Sequence, residues 1–207
     1  MTLTKLQQKK SFKNLVTAIL KITLSGGIIG FFHEYDFWVG LLLFTRLIAF
    51  LYKDYFKATE RNWILLAGMV ITGFLGVCVE IWGISFQYWE YHDLSNNRQF
   101  PYWLPFAWMF AFRFIYKLES KLIISLGLKK MSHKTWLAIF ITAFFPAFGE
   151  VITINLGVWT YSWPYQILGV PIYAIVLLVI MHMGINFVLG LWVKKKKIND
   201  PVFVSGK

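Results

Sequence analysis

Apolar residues run in long blocks along the whole chain, broken by short polar stretches. Six blocks approach or exceed the ~20 residues that an α-helix needs to cross a hydrocarbon core. They are Leu15–Phe32, Phe37–Tyr52, Trp63–Phe86, Phe100–Leu118, Trp136–Trp159 and Ile167–Val193. The pattern predicts an all-α fold, a polytopic helical bundle of about six transmembrane helices forming one integral membrane domain over 1–207. Only His33 to Asp36 separate the first two blocks, so a kinked re-entrant pair is the alternative there. The second block, at 16 residues, is short, and its helix should run past Lys53.

Charge tests the count. Of the 21 basic residues, 17 lie before span one, between spans two and three, between or bordering spans four and five, and after span six. That last group includes Lys207. The opposite loops hold Arg98 and the acids Glu34, Asp36, Glu90 and Asp93. Six spans with both termini cytoplasmic satisfy the positive-inside rule, whereas five or seven would break it. The formal charge of +11 therefore points to anionic headgroups and orientation in an inner or plasma membrane, not to nucleic acid. The basic stretch before Leu15 lacks a small-residue cleavage site, which predicts a retained first span. Tyr88, Trp89, Tyr91, Tyr102, Trp103, Trp159, Tyr161, Trp163 and Tyr165 fall at the outer ends of the spans, where aromatic belts form. The stretch Leu122–Leu128 reads as a short interfacial helix.

The chain repeats at an offset of 70 residues. Ile71-Thr72-Gly73-Phe74 matches Ile141-Thr142-Ala143-Phe144, and Glu80, Trp89, Tyr91 and Pro101 match Glu150, Trp159, Tyr161 and Pro171. The repeat units are 63–118 and 136–193, two spans each. An even number of spans makes the halves parallel, related about the membrane normal. Glu80 and Glu150 each precede their tryptophan by nine residues, about 13 Å of helix, so both reach the outer half of the bilayer at equal depth.

A charge at the bilayer centre costs ~2.5–3.5 kcal/mol or more, so intramembrane ionisable groups should face inward and pair. Glu80 and Glu150 read either as proton donor and acceptor at a site between the halves or as structural groups, each paired to an arginine or capping a broken helix. Arg46 lies near their depth and is their candidate partner. Arg113, nearer mid-membrane, would stabilise negative charge or form a salt bridge. His182 and Asn186 share a helix face, either as a relay with Glu150 or as an interhelical hydrogen-bond pair. Asn155 would line the same pocket or bind an exposed backbone group. Lys21 can snorkel to the cytoplasmic side. His33, Glu34, Asp36, His92 and Asp93 read as solvated outer-loop residues without metal-ligand spacing. Pro146 and Gly149 predict a kink beside Glu150, and hence the better-formed pocket there. Phosphate-loop, H-E-x-x-H, G-x-S-x-G and C-x-x-C patterns are absent, and no metal or other cofactor is implied.

The run Gly76-Val77-Cys78-Val79-Glu80, followed by Trp89, Tyr91, Pro101, Trp103, Pro105, Ala107 and Trp108, resembles the bacterial membrane carotenoid hydratases and related lycopene-cyclase-type proteins. The resemblance implies a helical membrane enzyme of carotenoid or lipid metabolism that protonates a carbon–carbon double bond of an isoprenoid. It also implies that Glu80 and Glu150 handle the proton. Cyclase-type members carry paired acids after a proline; here only Gly149-Glu150 is comparable, which sets cyclisation furthest from the pattern. The residues thus lead to an enzyme acting on a prenyl or other apolar lipid, with catalytic candidates Glu150, Glu80 and His182. Arg46, Arg113, Asn155, Asn186, Trp89 and Trp159 would bind or pair. A small transporter or lipid-handling protein, and a non-catalytic scaffold or assembly factor, are the alternatives.

Overall fold

Each apolar block becomes one helix in the computed structural model, which describes residues 4–94 and 98–204. The helices are α1 (Lys5–Phe31), α2 (Asp36–Leu51), α3 (Trp63–Ser85), α4 (Leu104–Leu126), α5 (Met131–Asn155) and α6 (Ile172–Lys196). Asn96, whose sidedness bears on the orientation, and Lys207 lie outside the described residues. Local chemistry sets several ends. Thr4 caps α1 with Gln7 in a reciprocal pair of hydrogen bonds. Asn62 caps α3 by accepting from the Leu65 amide at 2.8 Å. A single 3-10 turn, His33–Tyr35, joins α1 to α2, and a π-helical turn carries α2 on to Phe56, past Lys53 as its short apolar block requires.

Five helices are long and apolar enough to cross a membrane: α1, α2 with its flanking turns, α3, α5 and α6. α4 matches them in length at 23 residues but carries Arg113, Lys117, Glu119 and Lys121. Its position explains how it tolerates them. α4 contacts α1, α2, α3 and α5, so the more apolar helices surround the most polar one. Outward faces present Phe74, Ile180 and Phe187 exposed. On either side of α4 lie two apolar clusters. One joins Leu47, Met69, Phe112, Leu189 and Val202; the other joins Ala18, Ile115, Ile141 and Phe145.

The fourth block is displaced from its expected bounds. α4 begins at Leu104 and continues to Leu126, where Gly127 takes φ 64° and closes it. The stretch Leu122–Leu128 is therefore the end of α4 and its cap, not a separate interfacial helix. Leu122, Ile123 and Ser125 are buried, and the Ser125 hydroxyl hydrogen-bonds Ser11 of α1 at 2.8 Å. Tertiary burial, invisible along one helix, keeps it wound past Lys121.

Short strands occupy the loops at one end of the bundle. β1 (Trp89–Tyr91) pairs antiparallel with β2 (Trp159–Tyr161), matching Trp89 with Tyr161, Glu90 with Thr160 and Tyr91 with Trp159. β3 (Gln166–Ile167) and β4 (Val170–Pro171) form a hairpin leading into α6. The exits from α3 and α5 match bond for bond. The Tyr88 amide bonds the Gly83 carbonyl at 2.9 Å, and the Val158 amide bonds that of Thr153 at 3.1 Å. Gln87 and Gly157 both take positive φ, 58° and 82°. At the strand edges the His92 amide bonds the Val158 carbonyl at 3.0 Å and the Ser162 amide bonds the Tyr88 carbonyl at 2.8 Å.

At the other end, the segment after α6 folds back. Asp200 is buried, accepts from the Tyr116 hydroxyl and from the Val202 amide at 2.9 Å, and Lys134 donates to the Pro201 and Val204 carbonyls at 2.6 and 2.5 Å.

Candidate functional site

The site begins on one face of α3. Gly76, Glu80 and Gly83 fall at i, i+4 and i+7, and so align on that face. The two glycines seat two indoles. A Cβ on Gly83 would stand 1.9 Å from the Trp89 ring, and one on Gly76 would stand 2.3 Å from the Trp108 ring. Both rings therefore lie flat enough against α3 to aim their N–H groups at the carboxylate between them. Trp89 Nε1 donates to Glu80 Oε2 at 2.8 Å, and Trp108 Nε1 donates to Oε1 at 3.2 Å. The Tyr91 hydroxyl is a third donor. Glu80 is buried, and its acceptors are met by three converging donors.

Glu150 is built differently. It is half-buried and accepts from the Tyr161 hydroxyl at 3.0 Å. α5 continues as a helix through Pro146, and Thr153 Oγ1 returns a bond to the Glu150 carbonyl at 3.1 Å. The β1–β2 pairing brings the two halves of the site together. The Trp89 ring meets the Tyr161 ring edge-on at 5.6 Å, so each carboxylate's donor touches the other's. Burial first, and the neighbouring carboxylates second, push the Tyr91 and Tyr161 phenols well above their ordinary range. Both therefore stay protonated and keep donating. The better-held carboxyl is Glu80, while the better-formed pocket expected at Glu150 from Pro146 and Gly149 is one cavity that both acids share. What decides it is donors contributed by other elements, not the local backbone.

Glu80 and Glu150 face one cavity of about 830 Å³, partly open and lined by residues of α1, α2, α3, α4, α5 and α6. Aromatic rings, among them Trp82, Trp89, Trp159 and Trp163, wall its acidic end. Trp103 also borders it, with a buried indole N–H that has no partner among the described residues. Lys21, Arg46, Arg113, Lys117 and Lys121 line the other end.

Several expected partners are placed elsewhere. Arg46 does not pair with a glutamate; its guanidinium stands 5.7 Å over the Phe110 ring. Arg113 lies 4.5 Å over Phe50 and 4.0 Å from Asp54. His182 and Asn186 do not join Glu150 and do not line the cavity. His182 Nε2 meets buried Glu119 at 2.8 Å, with Asn186 Nδ2 at 3.0 Å. The relay is thus replaced by an interhelical α4–α6 pair. Asn155 is exposed and donates to the Val151 carbonyl of its own helix at 2.7 Å. Lys21 borders the cavity instead of only reaching for the membrane surface.

The outer polar set is also more structured than solvated loops. Asp36 is buried, and Arg98 grips it bidentately at 2.6 and 3.0 Å while the Tyr102 amide adds a third bond at 3.0 Å. His92 meets Thr160 at 3.2 Å. His33 meets Asp93 at 3.1 Å, and His33, Glu34 and Asp93 have ligand atoms within 4.8 Å of one another. With exposed carboxylates and a histidine whose Nδ1 is engaged by the Gly30 carbonyl at 2.6 Å, this cluster reads as a loop clasp.

Residue reading alone placed none of Tyr91, Tyr161, Trp108, Glu119, Lys117 or Lys121 at the site; the two tyrosines read as interface aromatics and the two lysines as orienting charge. Tyr91 and Tyr161 carried a usable signal, since both follow a repeated tryptophan at the same spacing. Glu119 carried none beyond its position at the edge of an apolar block. No family model, curated protein or solved structure matches the chain.

Proposed function

We propose that this protein is an inner- or plasma-membrane enzyme acting on a prenyl or other apolar lipid by acid–base chemistry at a double bond: hydration, isomerisation or cyclisation. The observation that carries the reading is the cavity between the helices on which Glu80 and Glu150 converge under aromatic walls. Apolar, concave sites with a few convergent polar groups are what lipid-sized ligands require. Six spans, N-in and C-in, are part of the proposal and put this acidic end in the outer half of the membrane. The symmetry of the β1–β2 register and of the α3 and α5 exits under an exchange of residue i with i + 70 supports a parallel two-helix repeat.

The two carboxyls suit different tasks. Glu80, with three donors converging on it, is satisfied as a carboxylate. Glu150, with one donor and an open side toward the cavity, is the group free to carry a proton. In the proposed reaction the Glu150 O–H bond breaks and its proton forms a C–H bond with one alkene carbon. The alkene π pair forms that bond, leaving a cation on the adjacent carbon. Glu80 and the faces of Trp82, Trp89 and Tyr161 stabilise that cation. Loss of a neighbouring C–H proton to Glu150, or attack by water with proton return to Glu150, closes the cycle. Such a site needs no redox step, in keeping with the resemblance to carotenoid hydratases.

Transport is the second reading, favoured by a cavity that runs from Trp163 near one end to Lys121 near the other. One experiment separates them: mass spectrometry of lipids extracted from cells with and without the gene, and with Glu150→Gln. The enzyme reading expects a lipid whose mass differs by water, or an isomer with shifted retention. It expects Glu150→Gln to abolish that change while the protein stays folded and inserted. An unchanged lipid profile, or full activity of Glu150→Gln, overturns it.

A further inference from the structure

The basic end of the cavity is unexplained by acid–base chemistry at the glutamates. Arg113, Lys117 and Lys121 stand at i, i+4 and i+8 on α4, one stripe on the central helix. Lys21 from α1 and Arg46 from α2 face the same space. Cations that merely set orientation point outward to headgroups and water; these five, though four of them are exposed, line one cavity between the helices. Among the described residues, the one carboxylate that salt-bridges any of them is Asp54, 4.0 Å from Arg113 at its limit of contact. Arg113 sits mid-helix, and its Nε is buried with no hydrogen-bond partner among the described residues. The guanidinium groups of Arg46 and Arg113 rest over the Phe110 and Phe50 rings, which positions them without neutralising them. Like charges gathered at the end of an apolar cavity repel, and an anion relieves that repulsion.

The distances favour an amphiphile. Along α4, Trp108, which touches Glu80, lies about 8 Å from Arg113 and about 20 Å from Lys121. A headgroup between Arg113 and Lys121 leaves an apolar chain to fill the rest of the cavity and to present a bond well along its length to the carboxyls. We propose that the ligand carries a phosphate or diphosphate headgroup, held by Arg113, Lys117 and Lys121 with Lys21 and Arg46, and an apolar chain reaching Glu80 and Glu150. Arginine contributes the fork that matches phosphate oxygens, and the lysines contribute charge. This assignment rests on the lipid-enzyme reading and names its substrate class.

The test is binding to the purified full-length protein in a neutral detergent, read by quenching of tryptophan fluorescence. The probes are farnesyl diphosphate, farnesol, dioleoyl phosphatidate and inorganic diphosphate. Farnesyl diphosphate is expected to bind at least tenfold more tightly than farnesol, with the advantage shrinking as salt is raised. Arg113→Gln with Lys117→Gln should bring that ratio close to one while farnesol binding is unchanged. Should the double variant fail to fold, Lys121→Gln, at the exposed end of the stripe, is expected to cut the ratio severalfold. Phosphatidate binding as tightly as farnesyl diphosphate supports the headgroup and assigns it to a bilayer phospholipid. Inorganic diphosphate binding as tightly as the prenyl compound overturns the amphiphile and assigns the site to a free anion. Farnesol binding as well as its diphosphate overturns the headgroup alone and leaves the cavity reading standing. If no probe binds, both readings fall.

Discussion

Replacing each cavity glutamate by glutamine should separate two residues that look equivalent in the repeat. Glutamine keeps the shape of glutamate but turns one acceptor oxygen into a donor NH2. At Glu80 both oxygens are engaged by indole N–H groups, at 2.8 and 3.2 Å, so either orientation of the amide sets a donor against a donor. One hydrogen bond to a charged acceptor is lost, worth about 1.5–3 kcal/mol, and a buried N–H is left unpaired, a loss that partly overlaps the first. The net cost of Glu80→Gln is about 3 kcal/mol. For a chain of this size each kcal/mol lowers Tm by about 2–4 °C, so the expected drop is about 6–12 °C. At Glu150 the glutamine carbonyl can still accept from Tyr161 while the amide turns to the cavity, costing under about 1 kcal/mol. Thermal unfolding in detergent, followed by tryptophan fluorescence and by retention of the monodisperse peak in size exclusion, measures both variants. Equal shifts for the two, or a Glu80→Gln variant as stable as the parent, would refute the three-donor account of Glu80.

Further expectations follow from the same contacts. Gly83→Ala should destabilise by about 1–3 kcal/mol, because its Cβ would stand 1.9 Å from Trp89, whereas Gly184→Ala, with nothing within 4 Å, should be neutral or slightly stabilising in the same assay. Arg98→Gln should cost about 2 kcal/mol by removing the bidentate guanidinium and leaving buried Asp36 to backbone amides such as those of Tyr102 and Phe37, read as a lower Tm and faster cleavage in the loop after β1. Asp200→Ala removes the acceptor for Tyr116 and Val202 and should expose the segment after α6 to limited proteolysis without loss of the helical circular-dichroism signal.

The helices were legible because burial in hydrocarbon demands long apolar runs, and five such runs carry into helices of membrane-crossing length. Glu80 and Glu150 were legible for the complementary reason: charge is costly in such runs, so two acids repeated at one offset stand out. Tryptophan–tyrosine spacing also pointed at the loops that β1 and β2 fill. None of this depends on how one helix is rotated against another.

Partner choice does depend on it. His182 meets Glu119 because α4 continues two turns past its apolar block and turns that carboxylate toward α6. Arg46, which residue counting put near the depth of the glutamates, instead rests over Phe110 at the other end of the cavity, since α2 packs on the side of α4. Asp36 is withdrawn from solvent by Arg98, 62 positions away in a different loop. Depth along a helix follows from residue counting, but azimuth follows from side chains on several helices filling space together. The composition of the apolar blocks alone therefore determined a membrane bundle with two internal acids. Only the assembled helices decided that those acids share one cavity, that indoles and phenols hold them, and that five cations line its other end.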